Sequence, residues 1–165
     1  MKQVAMAYAD YIGNDVIGKL IKTHMSELLP LDYTEEELKY AEKFQKVITD
    51  LDAINLKNRA KKIGGKDSEK LIKMPIWNFL LPDVSSNGST DVGDVSWACP
   101  TGYFHVATLA MGTPGHAWQT VAQGKSSIAH KGMLMAAKVL AATAYDFLTD
   151  PELVKAAREN WLENL

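Results

Sequence analysis

Two stretches of this 165-residue chain hold residues whose types and spacing could do chemistry. The first is Gly88-Ser89-Thr90-Asp91-Val92-Gly93-Asp94-Val95-Ser96-Trp97. The second is Gly112-Thr113-Pro114-Gly115-His116-Ala117-Trp118-Gln119. His116 follows a Pro-Gly turn, and a turn lets an imidazole reach into a cleft. A neutral ring nitrogen there could ligate a divalent metal, or the ring could pass a proton. A solitary histidine is also often no more than a hydrogen-bonded side chain, and His116 has no companion ligands at metal spacing. Asp91 and Asp94 flank Gly93 and could orient a ligand from behind it or simply make a turn.

The elements that must position these loops follow from pattern. Gln3 to Ile12 reads as a strand of small residues. Asn14 or Asp15 can cap a helix whose apolar positions Val16, Ile17, Leu20, Ile21, Met25 and Leu28 fall on one face, with His24 at its edge and Pro30 after its end. Thr34 to Glu37 is a capping box opening a surface helix to about Thr49. That accounts for Glu35, Glu36 and Glu37 as first-turn acids favouring the helix dipole, not as a catalytic pair. Asp50 to Lys73 is polar and basic, is broken at Gly64-Gly65, and reads as a solvated loop with a short helix near Asp67 or Ser68. An apolar, aromatic run from Ile76 to Leu81 is closed by Pro82, and Asp83 to Gly88 is loop. Val95 to Cys99 and Tyr103 to Met111 read as strands, and Gly112 to Gly124 as a long loop. Ser126 or Ser127 caps a long apolar helix to Leu148 whose polar stripe is Lys131, Lys138 and Tyr145. Asp150-Pro151 starts a last amphipathic helix. Strands followed by helices, with loops at the strand ends, give an α/β architecture.

Composition bounds the function classes. The chain is 47% hydrophobic with a formal net charge of −2, so it can build a core and carries no basic field that would point to nucleic acid. The basic residues of 57 to 73 could touch an anionic ligand, but such runs are usually solvated. A single cysteine, Cys99, excludes an internal disulfide and suits a reducing cytoplasm. The start, Met1-Lys2-Gln3, leads into a segment without an apolar core, so no signal peptide is expected. No apolar run reaches the roughly 18 residues of a membrane span.

The two loops, taken with Ser126-Ser127-Ile128-Ala129-His130-Lys131-Gly132-Met133-Leu134-Met135-Ala136-Ala137-Lys138, resemble the C-terminal part of the di-metal aminoacylase and carboxypeptidase superfamily of amidohydrolases, its aminobenzoyl-glutamate-hydrolysing members in particular. The match is dense from about Ser86 to Leu148. The resemblance implies an α/β exopeptidase-type catalytic domain with a sheet flanked by helices, incomplete within this chain. Residues 1–12 would be the remnant of a lid and dimerisation domain, and 13–165 the C-terminal half of the catalytic domain. It implies that His116 is the last metal ligand, for zinc or manganese. Gly88, Ser89 and Asp91 would line the substrate site, and Trp118 could stack on an aromatic acyl group or merely pack. His130 and His105 receive packing or structural roles.

The resemblance also stops short. The earlier metal motif, the Glu-Glu pair with its general base and the lid histidine are not found in this chain. Two-metal amide hydrolysis needs a bridged water, a base and positive charge on the carbonyl oxygen. The chain is therefore expected to be a segment of a metal-dependent amidohydrolase for N-acyl amino acids, with weak or no metal binding and no catalysis alone. The expected partners are a small N-acyl amino acid and a missing N-terminal half or second subunit, with self-association as the cheapest cover for exposed edges. The alternative is a non-catalytic assembly or binding module.

Overall fold

A computed structural model describes residues 9–81 and 90–165. The described residues form eight α-helices and a short 3-10 turn at Gly65–Asp67: α1 (Asp15–Leu28), α2 (Glu35–Gln45), α3 (Asp50–Gly64), α4 (Ser68–Lys73), α5 (Val92–Ala98), α6 (Trp118–Gln123), α7 (Ser127–Thr149) and α8 (Pro151–Glu163). They form no strand and no sheet, so the α/β expectation is overturned. The chain divides into two compact units. One holds the described residues 9–25, 90–104 and 139–165, the other 26–81 and 105–138.

The caps form where side-chain oxygens meet the free N–H groups of a first turn. Asn14 Oδ1 accepts from the Ile17 N–H at 3.1 Å, while its Nδ2 donates to the Ala157 carbonyl at 2.8 Å. One buried amide thus starts α1 and holds α8. Thr34 and Glu37 complete the capping box of α2. Ser126 Oγ accepts from the Ala129 N–H at 3.1 Å, and Asp150 caps α8 with Pro151 behind it.

Each failed expectation has a local cause. The Asp50 to Lys73 stretch is not a loop. Thr49 and Asp52 form a second capping box, with Asp standing where the usual pattern has Glu. Leu56 and Ala60, four apart, bury one face of α3 against Trp77, and Gly65 at φ 50 closes the helix by donating to the Lys61 carbonyl. Val95 to Cys99 alternates like a strand, but its inward positions are Gly93 and Ser96, three apart. Val95 and Trp97 stay about half exposed, so helical spacing wins.

The expected strand Tyr103 to Met111 has no neighbouring strand among the described residues to complete a ladder. Its backbone is satisfied otherwise: the Ala110 N–H donates to Gln123 Oε1 at 2.8 Å and the Met111 N–H to the Pro75 carbonyl at 2.8 Å. Residues 9–12 of the expected first strand are likewise not strand, and residues 3–8 lie outside the described ones. Three side chains of α5 hold 9–12 in place. Asp94 Oδ1 accepts from the Ala9 N–H, Ser96 Oγ from the Ile12 N–H, and the Trp97 indole donates to the Asp10 carbonyl, all within 2.9 Å.

Two apolar clusters anchor the second unit. Ala41, Ile76, Ala110 and Ile128 form one, Leu56, Ala60 and Trp77 the other. In the first unit, α7 buries Val139 and Thr143, and the Asp146 carboxylate meets His24 Nε2 at 2.8 Å. No described helix is long and apolar enough to cross a membrane.

Candidate functional site

The turn that carries His116 is built from below. Gln123 is 1% exposed. Its Oε1 takes the Ala110 N–H, while its Nε2 donates to Thr113 Oγ1 at 2.9 Å and to the Gln119 carbonyl at 3.1 Å. One amide therefore ties the incoming extended segment, the turn and α6 together. Thr120 Oγ1 donates to the Pro114 carbonyl at 2.8 Å. Gly112 enters the turn at φ 83, against Ile48 and Leu56. Sequence pattern does not single out Gln123, because a glutamine on a short helix looks like surface.

His116 sits at the top of this brace, exposed, in the left-handed region at φ 57. Histidine tolerates that region better than most residues, but it remains uncommon there. The turn thus projects an imidazole into solvent on a fixed base. Trp118 opens α6 and is 63% exposed, with its ring 6.3 Å from Phe44, which in turn packs edge-on to Tyr40 at 5.1 Å. An aromatic ring with one free face lies two residues from the candidate ligand. Gln119 is 6% exposed, and its Oε1 has no hydrogen-bond partner among the described residues.

These residues fit one arm of a metal site. They do not fit a whole one, because the described residues bring no three His, Cys, Asp or Glu side chains together. Asp91 is exposed at the start of α5 without capping it, and belongs to the other unit. Gly88 and Ser89 lie outside the described residues. Asp94 is occupied with the Ala9 backbone, which is a structural task. His130 is exposed near the start of α7, and His105 is exposed in the extended segment.

In the same unit, a cleft of about 600 Å³ is lined by Thr34, Glu36, Glu37, Tyr40, Ala122, Lys125, Ser126 and Ser127. The carboxylate of Glu37 is already engaged. Its Oε2 accepts from Lys131 Nζ at 2.7 Å and from the Thr34 N–H at 2.7 Å, while Lys131 also donates to the Asp32 carbonyl at 2.6 Å. Burial alone would raise the Glu37 pKa, but the hydrogen bonds from Lys131, Ser127 and Thr34 and the Lys131 charge together bring it down to about 2. A carboxylate depressed in the folded state adds stability above its ordinary value of 4.5, and that stability is lost as pH falls toward 2. Lys131→Met should therefore lower Tm near neutral pH and shrink the difference in Tm between pH 6 and pH 2.5. A variant with the parent's full acid dependence would refute this role for the pair.

No family model matches the chain, and no solved structure does. The chain is 33% identical over 161 residues to a subunit of the p-aminobenzoyl-glutamate hydrolase of Escherichia coli (strain K12), an alignment covering 93% of this chain and 34% of that protein. It is 38% identical over 88 residues to the Xaa-Arg dipeptidase of Homo sapiens, covering 50% of this chain and 20% of the dipeptidase. The chain spans about a third of the length of the first relative and a fifth of the second. Over nearly its whole length it is homologous to a part of that p-aminobenzoyl-glutamate hydrolase subunit.

Proposed function

We propose that this chain is the C-terminal catalytic segment of a cytoplasmic, metal-dependent amidohydrolase that cleaves the amide bond of N-acyl amino acids, p-aminobenzoyl-glutamate among them. The observation that carries this reading is the braced turn presenting His116, on a chain homologous to a hydrolase subunit. His116 would contribute one imidazole to a zinc or manganese site. When bound in the completed site, such a metal would supply polarisation of the amide carbonyl and activation of water. Trp118 would offer its exposed ring to an aromatic acyl group, and by the resemblance alone Gly88, Ser89 and Asp91 would line the substrate. The other ligands and the general base come from a complementary segment, corresponding to the two thirds of the relative that this chain does not span. In this proposal residues 1–12 close a lid domain and 13–165 belong to the catalytic domain.

The test grafts this chain in place of the corresponding third of the E. coli protein. Metal retained after desalting and hydrolysis of p-aminobenzoyl-glutamate are then measured. His116→Ala should cut hydrolysis at least about 100-fold and lower retained metal, with Tm little changed because the side chain is exposed. His116→Gly should give the same loss while relaxing the left-handed turn, which assigns the effect to the imidazole and not to the backbone. A graft that hydrolyses substrate equally well without His116 would sink the assignment.

A further inference from the structure

The basic stretch 57–73 takes no part in the proposed catalysis. It carries seven lysines and arginines against Asp67 and Glu69, a surplus of five positive charges. The formal net charge of the chain is −2, so the remaining residues together hold a surplus of seven negative charges. All seven cations are exposed. Lys70 pairs with Asp67 at 2.8 Å, and the Arg59 guanidinium lies over the Trp77 ring at 5.6 Å. The side chains of Lys57, Lys61, Lys62, Lys66 and Lys73 meet no carboxylate among the described residues. Lys57 and Lys61 stand one helical turn apart, a spacing at which like charges repel. The fold gathers these charges on one small hairpin. α3 and α4 bury their apolar residues in one cluster, Leu56 and Ala60 from the first, Leu71 and Ile72 from the second, around Trp77. Opposite Leu56 and Ala60, helical spacing places Leu51, Ile54, Lys57, Asn58, Lys61 and Lys62 on the outer side of α3. Leu51 is 66% exposed and Ile54 52%. That side therefore runs from apolar to basic. Its acids stay in the first turn, where Asp52 closes the cap with Thr49.

We infer that the outer face of this hairpin docks reversibly on the surface of an anionic lipid bilayer. The cations supply the attraction, because each lysine near such a surface meets the negative potential of its headgroups. Leu51 and Ile54 supply what a purely ionic contact lacks, two aliphatic side chains that can enter the headgroup boundary while the neighbouring lysines stay at its polar edge. Nucleic acid suits the face less well. The outer side of α3 carries no aromatic ring on which a base could stack, and its exposed leucine and isoleucine would gain nothing from phosphates. The acidic surplus of the rest of the chain favours one orientation, with the hairpin toward the membrane. Docking of this kind needs neither metal nor substrate, so it stands apart from the hydrolase reading.

The test is co-sedimentation of the chain, and of the graft, with vesicles of phosphatidylglycerol and phosphatidylcholine in equal parts. Both proteins should sediment with these vesicles at low salt, stay behind with pure phosphatidylcholine, and be released as salt rises and the screening length shortens. Lys57→Gln with Lys61→Gln and Lys62→Gln should weaken binding roughly 100-fold. Glutamine matches lysine in helix propensity and these side chains face water, so the Tm of the triple variant should stay within roughly 3 °C. Lys39→Gln with Lys138→Gln and Lys155→Gln removes the same charge from other exposed positions and should weaken binding far less. Leu51→Gln with Ile54→Gln should weaken it at least about tenfold. If that pair lowers the Tm, Leu51→Gln alone should still weaken binding. Equal loss from the two lysine triples would mean that net charge and not this face is read, and overturns the proposal. So does a graft that ignores anionic vesicles, since the face is then covered within the enzyme. Binding of single-stranded RNA that is tighter than vesicle binding and indifferent to Leu51→Gln overturns it too, in favour of nucleic acid. A graft that binds vesicles but hydrolyses nothing supports docking and counts against the catalytic reading alone.

Discussion

Gly132→Ala is expected to lower stability by about 3 kcal/mol, read as a fall in Tm of roughly 10 °C. Helix propensity alone predicts the opposite sign. Gly132 lies inside α7, and alanine in a helix interior is favoured over glycine by about 1 kcal/mol. Packing decides the matter. A Cβ at Gly132 would run into the Ala107 carbonyl oxygen and approach Thr108 Cγ2 to 2.8 Å. A backbone carbonyl cannot rotate away as a side chain can. The extended segment would have to move, and with it the bonds from the Ala110 N–H to Gln123 and from the Met111 N–H to Pro75. Gly18 in α1 is the internal control. A Cβ there meets nothing within 4 Å, so Gly18→Ala should stabilise by about 1 kcal/mol. Equal signs at the two positions would show that the close crossing of α7 and the extended segment does not constrain the fold.

The same contrast shows where the sequence is readable and where it is not. Helix starts are local events, and a Thr, Ser, Asn or Asp in the right place makes them visible. The capping box at Thr34 and the Asp150-Pro151 start form as the pattern predicts, and the long apolar helix forms as α7. Tertiary choices are not local. Nothing within Tyr103 to Met111 says whether its N–H groups will meet a strand or a glutamine side chain. Its β-favouring residues therefore predict a strand, while the folded backbone takes Gln123 and Pro75 instead. Val95 and Trp97 mislead for a related reason: their alternation is real, but the residues that turn inward are the small Gly93 and Ser96. The resemblance implies a ligand role for His116 without saying what supports its turn. That support is a buried amide whose importance lies in three partners, at Ala110, Thr113 and Gln119, that no local pattern connects.

Gln123→Leu should therefore be the most damaging change in the His116 loop, although it touches no candidate ligand. Leucine keeps much of the volume and would sit beside Ala110, a member of an apolar cluster. The cost arises from what it abandons. The Ala110 N–H is left in a buried position without an acceptor, and Thr113 Oγ1 and the Gln119 carbonyl each lose a donor. A stranded buried group costs about 1–3 kcal/mol, so a loss of about 3 kcal/mol is expected even if water reaches the two acceptors. Gln123→Glu separates the parts of this argument. Its carboxylate can still accept from Ala110, but it can no longer donate, and it would face the Gln119 carbonyl with negative charge. That variant should lose less stability at a pH low enough to protonate the new carboxyl than at neutral pH, whereas Gln123→Leu should lose the same at both. Amide exchange at residues 110–117 would then locate the damage. Faster exchange confined to this stretch in both variants means that Gln123 sets the turn, and that His116 owes its presented geometry to it. Unchanged exchange there, with stability lost elsewhere, would mean that the turn stands without its brace.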